Sequence, residues 1–205
     1  MLTVVTLWCM ITVEVHQMKD HYHHGNLKQE LLETSIRIIS EQGFDQLSLR
    51  KVAAQCGVSH NAVYRHFEQK AQLIDCCRAH VTQTLMHDLE QVLEGLPLGE
   101  RETLYRFCVA YVGFYQEHPT YFSARYRNAA QKVVLSITDA AENYPPFERF
   151  RQIYQAYAEH QGLSEEMRSR KLVHLWAFLH GVISLATSPQ VVWDGAWEAC
   201  LNDIL

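Results

Sequence analysis

The chain has 205 residues, 48% hydrophobic and 20% charged, with nine glycines and five prolines. That composition can bury a core in one domain or two small ones, and it excludes a disordered or loop-rich chain. The formal charge of −5 excludes a uniformly basic nucleic-acid coat, yet residues 18–70 hold seven basic against six acidic side chains, leaving −6 for the rest.

Residues 2–13, "LTVVTLWCMITV", carry no charge. A bilayer span needs ~20 residues, so the stretch is too short. No basic residue precedes it and no small-residue cleavage site follows, so it is a poor signal peptide. Residues 1–17 read as an N-terminal extension: disordered, packed on a neighbour, or not made if translation starts at Met18. His21, His23 and His24 follow, near His16. A metal site is conceivable there, but a flexible arm fits better, because no Cys and no carboxylate beyond Asp20 stands at a persuasive spacing. No cofactor is expected.

Helical patterns then follow one another with almost no strand signal, so the expected fold is all-α. Leu27, Leu31, Leu32, Ile36, Ile38 and Ile39 line a helix ending near Gly43. "QLSLRKVAAQC" starts the next, with Ser48 as N-cap. Gly57 makes a tight turn and Ser59 caps a third short helix. A long helix covers residues 68–96, with Leu73, Cys77, Val81, Leu85, Leu89, Val92 and Leu96 inward. From Glu100 to His118 a helix is apolar nearly all round, and Pro119 opens another. "PPFERFRQIYQAYAEHQG" is closed by Gly162. Ser164 caps a helix through "KLVHLWAFLHGVISLA", apolar on every face but shorter than a membrane span, which reads as a buried or interface helix, and a last helix runs from about Asp194 to Leu205. The six cysteines form no C-x-x-C pair, which suits buried thiols in a reducing cytosol rather than disulfides or zinc.

Placed on a helix, residues 59–67 put Val63 and Phe67 on one side and His60, Asn61, Tyr64 and Arg65 on the other. Asn pairs bidentately with adenine and Arg with guanine; His and Tyr reach phosphates or base edges. Two helices joined by a short Gly turn, the second polar outside, describe a helix-turn-helix. A three-helix bundle with an incidental polar face fits the same pattern.

"LSLRKVAAQCGVSHNAVYRHFEQKAQLI" resembles the DNA-binding segment of the TetR/AcrR transcriptional regulators, through its Gly-Val-Ser turn, Tyr-x-x-Phe and the Lys opening the fourth helix. "YHHGNLK" resembles the lead-in of one subgroup, and "WAFLHGVISL" its Trp…His-Gly signature. The resemblance implies a helix-turn-helix domain over 18–70 and a helical effector-binding and dimerisation domain over 71–205. It implies that Ser48, Tyr64, His66 and Lys70 hold phosphates, Arg50 reaches toward the groove, and His60, Asn61 and Arg65 read bases, with Ser59 in the same set. Ala62 departs from the Thr common in the family and removes one hydroxyl contact. The implied protein is a cytoplasmic homodimeric repressor on a near-palindromic operator, released by a small molecule.

The second half is rich in aromatics. Cys108, Tyr111, Tyr115, Phe122, Tyr126, Tyr157, Trp176 and His180 are the candidate lining of a pocket for an apolar or aromatic effector, with few charges on the inward faces. His180 shares a helix face with Trp176 and serves either a ligand or a core partner. A helical enzyme carrying an ancestral DNA-binding head is the rival class. No Ser-His-Asp arrangement, phosphate-binding Gly loop or H-E-x-x-H supports it. A DNA binder without an effector remains open.

Overall fold

The computed structural model describes residues 27–126, 133–138 and 143–205. The N-terminal extension, Cys9 and the histidines at 16, 21, 23 and 24 lie outside them. Among the described residues all regular structure is helical. Helix α1 covers 27–42 and a 3-10 turn spans Phe44–Gln46. Then come α2 (Leu49–Gln55), α3 (His60–Tyr64), α4 (Lys70–Leu93), α5 (Arg101–Glu117), α6 (Pro119–Tyr126), α7 (Pro145–His160), α8 (Glu165–Ala186) and α9 (Trp197–Ile204). No described helix is long and apolar enough to cross a membrane. The described residues fall into two compact units, one ending at Cys77 and one beginning at Arg78, so the division lies inside α4.

In the first unit, α1 buries Leu31, Leu32, Ile36, Ile38 and Ile39. Ser35 sits among them and satisfies its hydroxyl by donating to the Leu31 carbonyl at 2.6 Å. Val52 and Ala53 of α2, Val63 of α3, Phe67, and Leu73 and Cys77 of α4 complete the core. Helix α2 ends in a Schellman motif, with Val58 N–H donating to Ala53 O at 3.0 Å and Gly57 N–H to Ala54 O at 3.4 Å. Gly57 has φ 67°, a conformation that penalises any Cβ. Helix α3 is shorter than the 59–67 expected. Its hydrogen bonding still runs on, with Arg65 N–H bonded to Asn61 O and Phe67 N–H to Val63 O, so the helical phase holds to Phe67.

In the second unit α5 is central, packing against α6, α7, α8 and α9. Leu104, Phe107, Cys108, Tyr111, Val112, Phe114 and Tyr115 are buried on it. Arg149 of α7 pairs with Glu90 of α4 at 3.0 Å. Helix α8 is apolar on every face, as expected, but this chain covers only one side of it. Leu172, Leu175, Trp176, Leu179, Val182 and Ile183 are buried, but Ala177, Gly181, Ser184 and Leu185 lie exposed. Helix α9 starts at Trp197, later than expected, because the Trp193 ring folds over Gly195 and packs on Trp197 at 4.3 Å. A Cβ at Gly195 would lie 2.3 Å from that ring. The cysteines are less uniformly buried than expected: Cys77 and Cys108 are, while Cys56, Cys76 and Cys200 are half-buried.

Candidate nucleic-acid interface and an aromatic cluster

Two serine caps frame the helix-turn-helix. Ser48 accepts from Lys51 N–H at 3.1 Å and Ser59 from Ala62 N–H at 3.2 Å. Each hydroxyl thereby fixes a helix start and keeps its own proton to donate outward. Both serines are exposed, as are Arg50, His60, Asn61, Tyr64, Arg65 and His66. Val63 and Phe67 are fully buried and fix the rotation of α3, so the polar face has one orientation. On it the His60 and Tyr64 rings meet edge-on at 4.6 Å, as residues four apart on a helix do. Lys51 bonds Gln42, which holds its ammonium on the α1 side.

Residues 48–70 carry four basic side chains, Arg50, Lys51, Arg65 and Lys70, against the single acid Glu68. This local excess within an acidic chain would attract phosphates over a few ångströms, inside the Debye length. Lys70 is half-buried rather than fully exposed, and it opens the 24-residue α4. A cation at a helix N-terminus opposes the macrodipole, and a bound phosphate would offset both charges.

The second unit gathers most of the candidate ligand residues. The Tyr111 hydroxyl lies 2.8 Å from that of Tyr126 and 3.3 Å from His180 Nε2. The His180 ring packs on Tyr126 at 4.7 Å, Trp176 at 4.8 Å and Phe122 at 5.7 Å. Tyr115 meets Phe122 edge-on, and Cys108 lies fully buried one turn before Tyr111. Tyr157 does not join them. It lines a separate cavity with Tyr154 and Leu175.

Two members of the cluster escaped the sequence reading. Arg125 is 1% exposed, with its guanidinium 4.1 Å from the Tyr144 ring centroid, and Tyr144 is fully buried. The inward faces carry few charges, as expected, but one of them is this buried cation. The signal was present, since Arg125 follows Tyr121 by four on a helix and so shares its buried side. Burial, then the neighbouring Arg125 charge, lowers His180 from 6.5 to about 4, so its imidazole is neutral at ordinary pH. Burial first, then the neighbouring phenols, pushes Tyr111, Tyr115 and Tyr126 well up. The Cys108 thiol is likewise pushed up by burial, which makes it inert. No group of three or more His, Cys, Asp or Glu among the described residues could hold a metal ion.

Both units match known families. Residues 31–76 match the model of bacterial regulatory proteins of the tetR family, and residues 104–204 the tetracyclin repressor-like C-terminal domain. Over 76 residues the chain is 33% identical to YerO, an HTH-type transcriptional regulator of Bacillus subtilis, covering 36% of this chain and 26% of that one. Over 98 residues it is 29% identical to the nucleoid occlusion factor SlmA of Yersinia enterocolitica, 46% of this chain and 48% of that one. The matched stretch thus spans half or less of these curated relatives. A TetR-like transcriptional regulator from Rhodococcus sp. RHA1 superposes with a TM-score of 0.65 at 19% identity, covering 86% of this chain and 91% of that one. A TetR-family regulator from Haemophilus influenzae does so at 0.62 and 21% identity, covering 88% and 94%. Those two likenesses establish the fold. With a tetR-family model on the helix-turn-helix and a repressor-like model on the helical unit behind it, the chain belongs to the TetR family of bacterial regulatory proteins.

Proposed function

We propose that the protein is a sequence-specific, operator-binding transcriptional repressor rather than an enzyme. The observation that carries this reading is the exposed α3 face, where His60, Asn61, Tyr64 and Arg65 stand clear of the core that Val63 and Phe67 anchor. Asn61, Arg65 and His60 read base edges. Ser48, Ser59, Tyr64, His66 and Lys70 hold the phosphates that set the register, and Arg50 reaches toward the groove. The active form is a homodimer. The exposed strip of α8, with Ala177 and Gly181 small enough for close approach and Leu185 48% exposed, supplies the contact. Two-fold pairing then presents two α3 helices to two related half-sites.

A small, mainly apolar or aromatic molecule entering at Phe122, Tyr126 and His180 relieves repression. These are the half-buried members of the cluster, and they are where a ligand would meet a neutral imidazole and a phenol. Helix α4 contributes residues to both units, so repacking in the second is felt at Lys70 in the first. The ligand must favour the non-binding arrangement to have any effect. The mutual hydrogen bonds of Tyr111, Tyr126 and His180 favour a second reading, a satisfied core with no effector. Selection of random duplexes by the protein tests the first part: two related half-sites are expected, and no enriched motif sinks it. A thermal-shift screen of apolar compounds, with operator binding measured for each hit, separates the two readings of the cluster. Hits that stabilise the protein and release DNA support the effector, and an absence of such hits supports the satisfied core.

A further inference from the structure

Two imidazoles stand in the proposed DNA contact, and both are exposed. His60 opens α3, and His66 follows the Arg65 that caps its end. The fold holds each in place. The His60 ring rests edge-on against Tyr64 at 4.6 Å, and the His66 backbone N–H donates to Val63 O at 2.9 Å, with Val63 fully buried. The charged and titratable groups around them are Arg50 and Lys51 of α2, which packs on α3, Cys56 at its end, Tyr64 and Arg65, and Glu68 and Lys70 at the entry to α4. Glu68 is the only acid among residues 48–70, and it is exposed, where water screens it.

Bound DNA changes that balance of charge. A phosphate within about 4–6 Å favours imidazolium over neutral imidazole. Imidazole is also the side chain whose ordinary titration falls between about pH 5 and about pH 8, so a small change of surroundings is enough to change its charge. At His66 a proton adds a cation where the phosphates are held. At His60 it turns one donor and one acceptor into two donors, which suits the paired acceptors of guanine in the major groove. The cations of residues 48–70 would rise from four to six. We propose that operator binding takes up protons at His60 and His66, so that the protein grips its operator more tightly as the pH falls. The inference rests on the operator-binding reading and is independent of any effector.

Operator affinity of the full chain, measured between about pH 8 and about pH 6 on the duplex that the wild type selects, tests it. Affinity is expected to rise about tenfold or more across that window, each ring contributing severalfold. The salt dependence should steepen by about one as His66 takes up its proton on a phosphate. His66→Gln is expected to remove that steepening and part of the gain, His60→Gln another part, and the double variant to bind equally at both ends of the window. Each ratio is taken within one variant, so loss of the neutral contact cancels, and both sites are exposed, so glutamine leaves the fold intact. Burial keeps His180 neutral down to about 4, so acid weakens the fold; that lowers operator binding and cannot mimic the gain. An affinity flat across the window, or a gain that survives in the double variant, overturns the inference and leaves the operator-binding reading standing. If no duplex is selected at all, the two fall together.

Discussion

The two units keep their polar groups in opposite places. In the first, every side chain proposed to touch DNA except Lys70 is exposed, and the core beneath is apolar, with Val52, Val63, Phe67 and Leu73 fully buried. In the second, the candidate groups are inside: Tyr111 and Tyr115 are fully buried, and Arg125 is 1% exposed beneath Tyr144. Recognition on the first unit is therefore separable from folding, whereas on the second each polar side chain is also part of the core. The same kind of substitution should thus be read out as altered binding in one and as altered stability in the other.

The largest effect that would sharpen this contrast is Phe67→Ala. Phe67 is fully buried and orients α3, so its loss should cost about 3–5 kcal/mol in denaturant unfolding and abolish operator binding with it. Next comes pH. The unfolded chain protonates His180 near its ordinary 6.5, while the folded chain resists until about 4. Stability should therefore fall as pH drops through that window, and His180→Gln should flatten the slope relative to wild type. Tyr111→Phe removes the hydroxyl that meets Tyr126 and His180, and melting should show a loss of about 1–2 kcal/mol. The smallest effect is expected on the other unit: Arg65→Ala should leave stability within about 0.5 kcal/mol of wild type, because the side chain is exposed. A large destabilisation there, or none in Tyr111→Phe, would break the contrast.

The first unit was the more legible in sequence because its determinants are local. Ser48, Gly57 and Ser59 act on their own neighbours within three residues, and Val63 with Phe67 marks one helix side four apart. The second unit was legible in its helices and in most of its cluster residues, but not in how those residues meet. Tyr111, Tyr126 and His180 meet across 15 and 69 positions of chain, a convergence no periodicity reveals. Tyr157 looked equivalent to Tyr111 by composition, yet it faces the other cavity, whose lining runs from Leu104 to Leu205. Tyr144 escaped because it precedes α7 instead of lying on a helical face. That one small domain could hardly cover α8 followed from its all-apolar pattern, but which residues stay uncovered, Ala177, Gly181, Ser184 and Leu185, did not, since an apolar run without periodicity marks no side.

The central claim is that the α3 face reads base sequence while the rest of the first unit holds it in place. Its most direct test compares duplex selection by the wild type with selection by Arg65→Ala and Lys70→Ala at several salt concentrations. The wild type is expected to enrich two related half-sites. Arg65→Ala should lose preference at one base position in each half, about 1–3 kcal/mol if the contact is bidentate. Lys70→Ala should keep the motif, bind all sequences more weakly, and show a salt dependence shallower by about one. A motif left intact by Arg65→Ala, or changed at a single base by Lys70→Ala, would contradict the assignment of reading to α3.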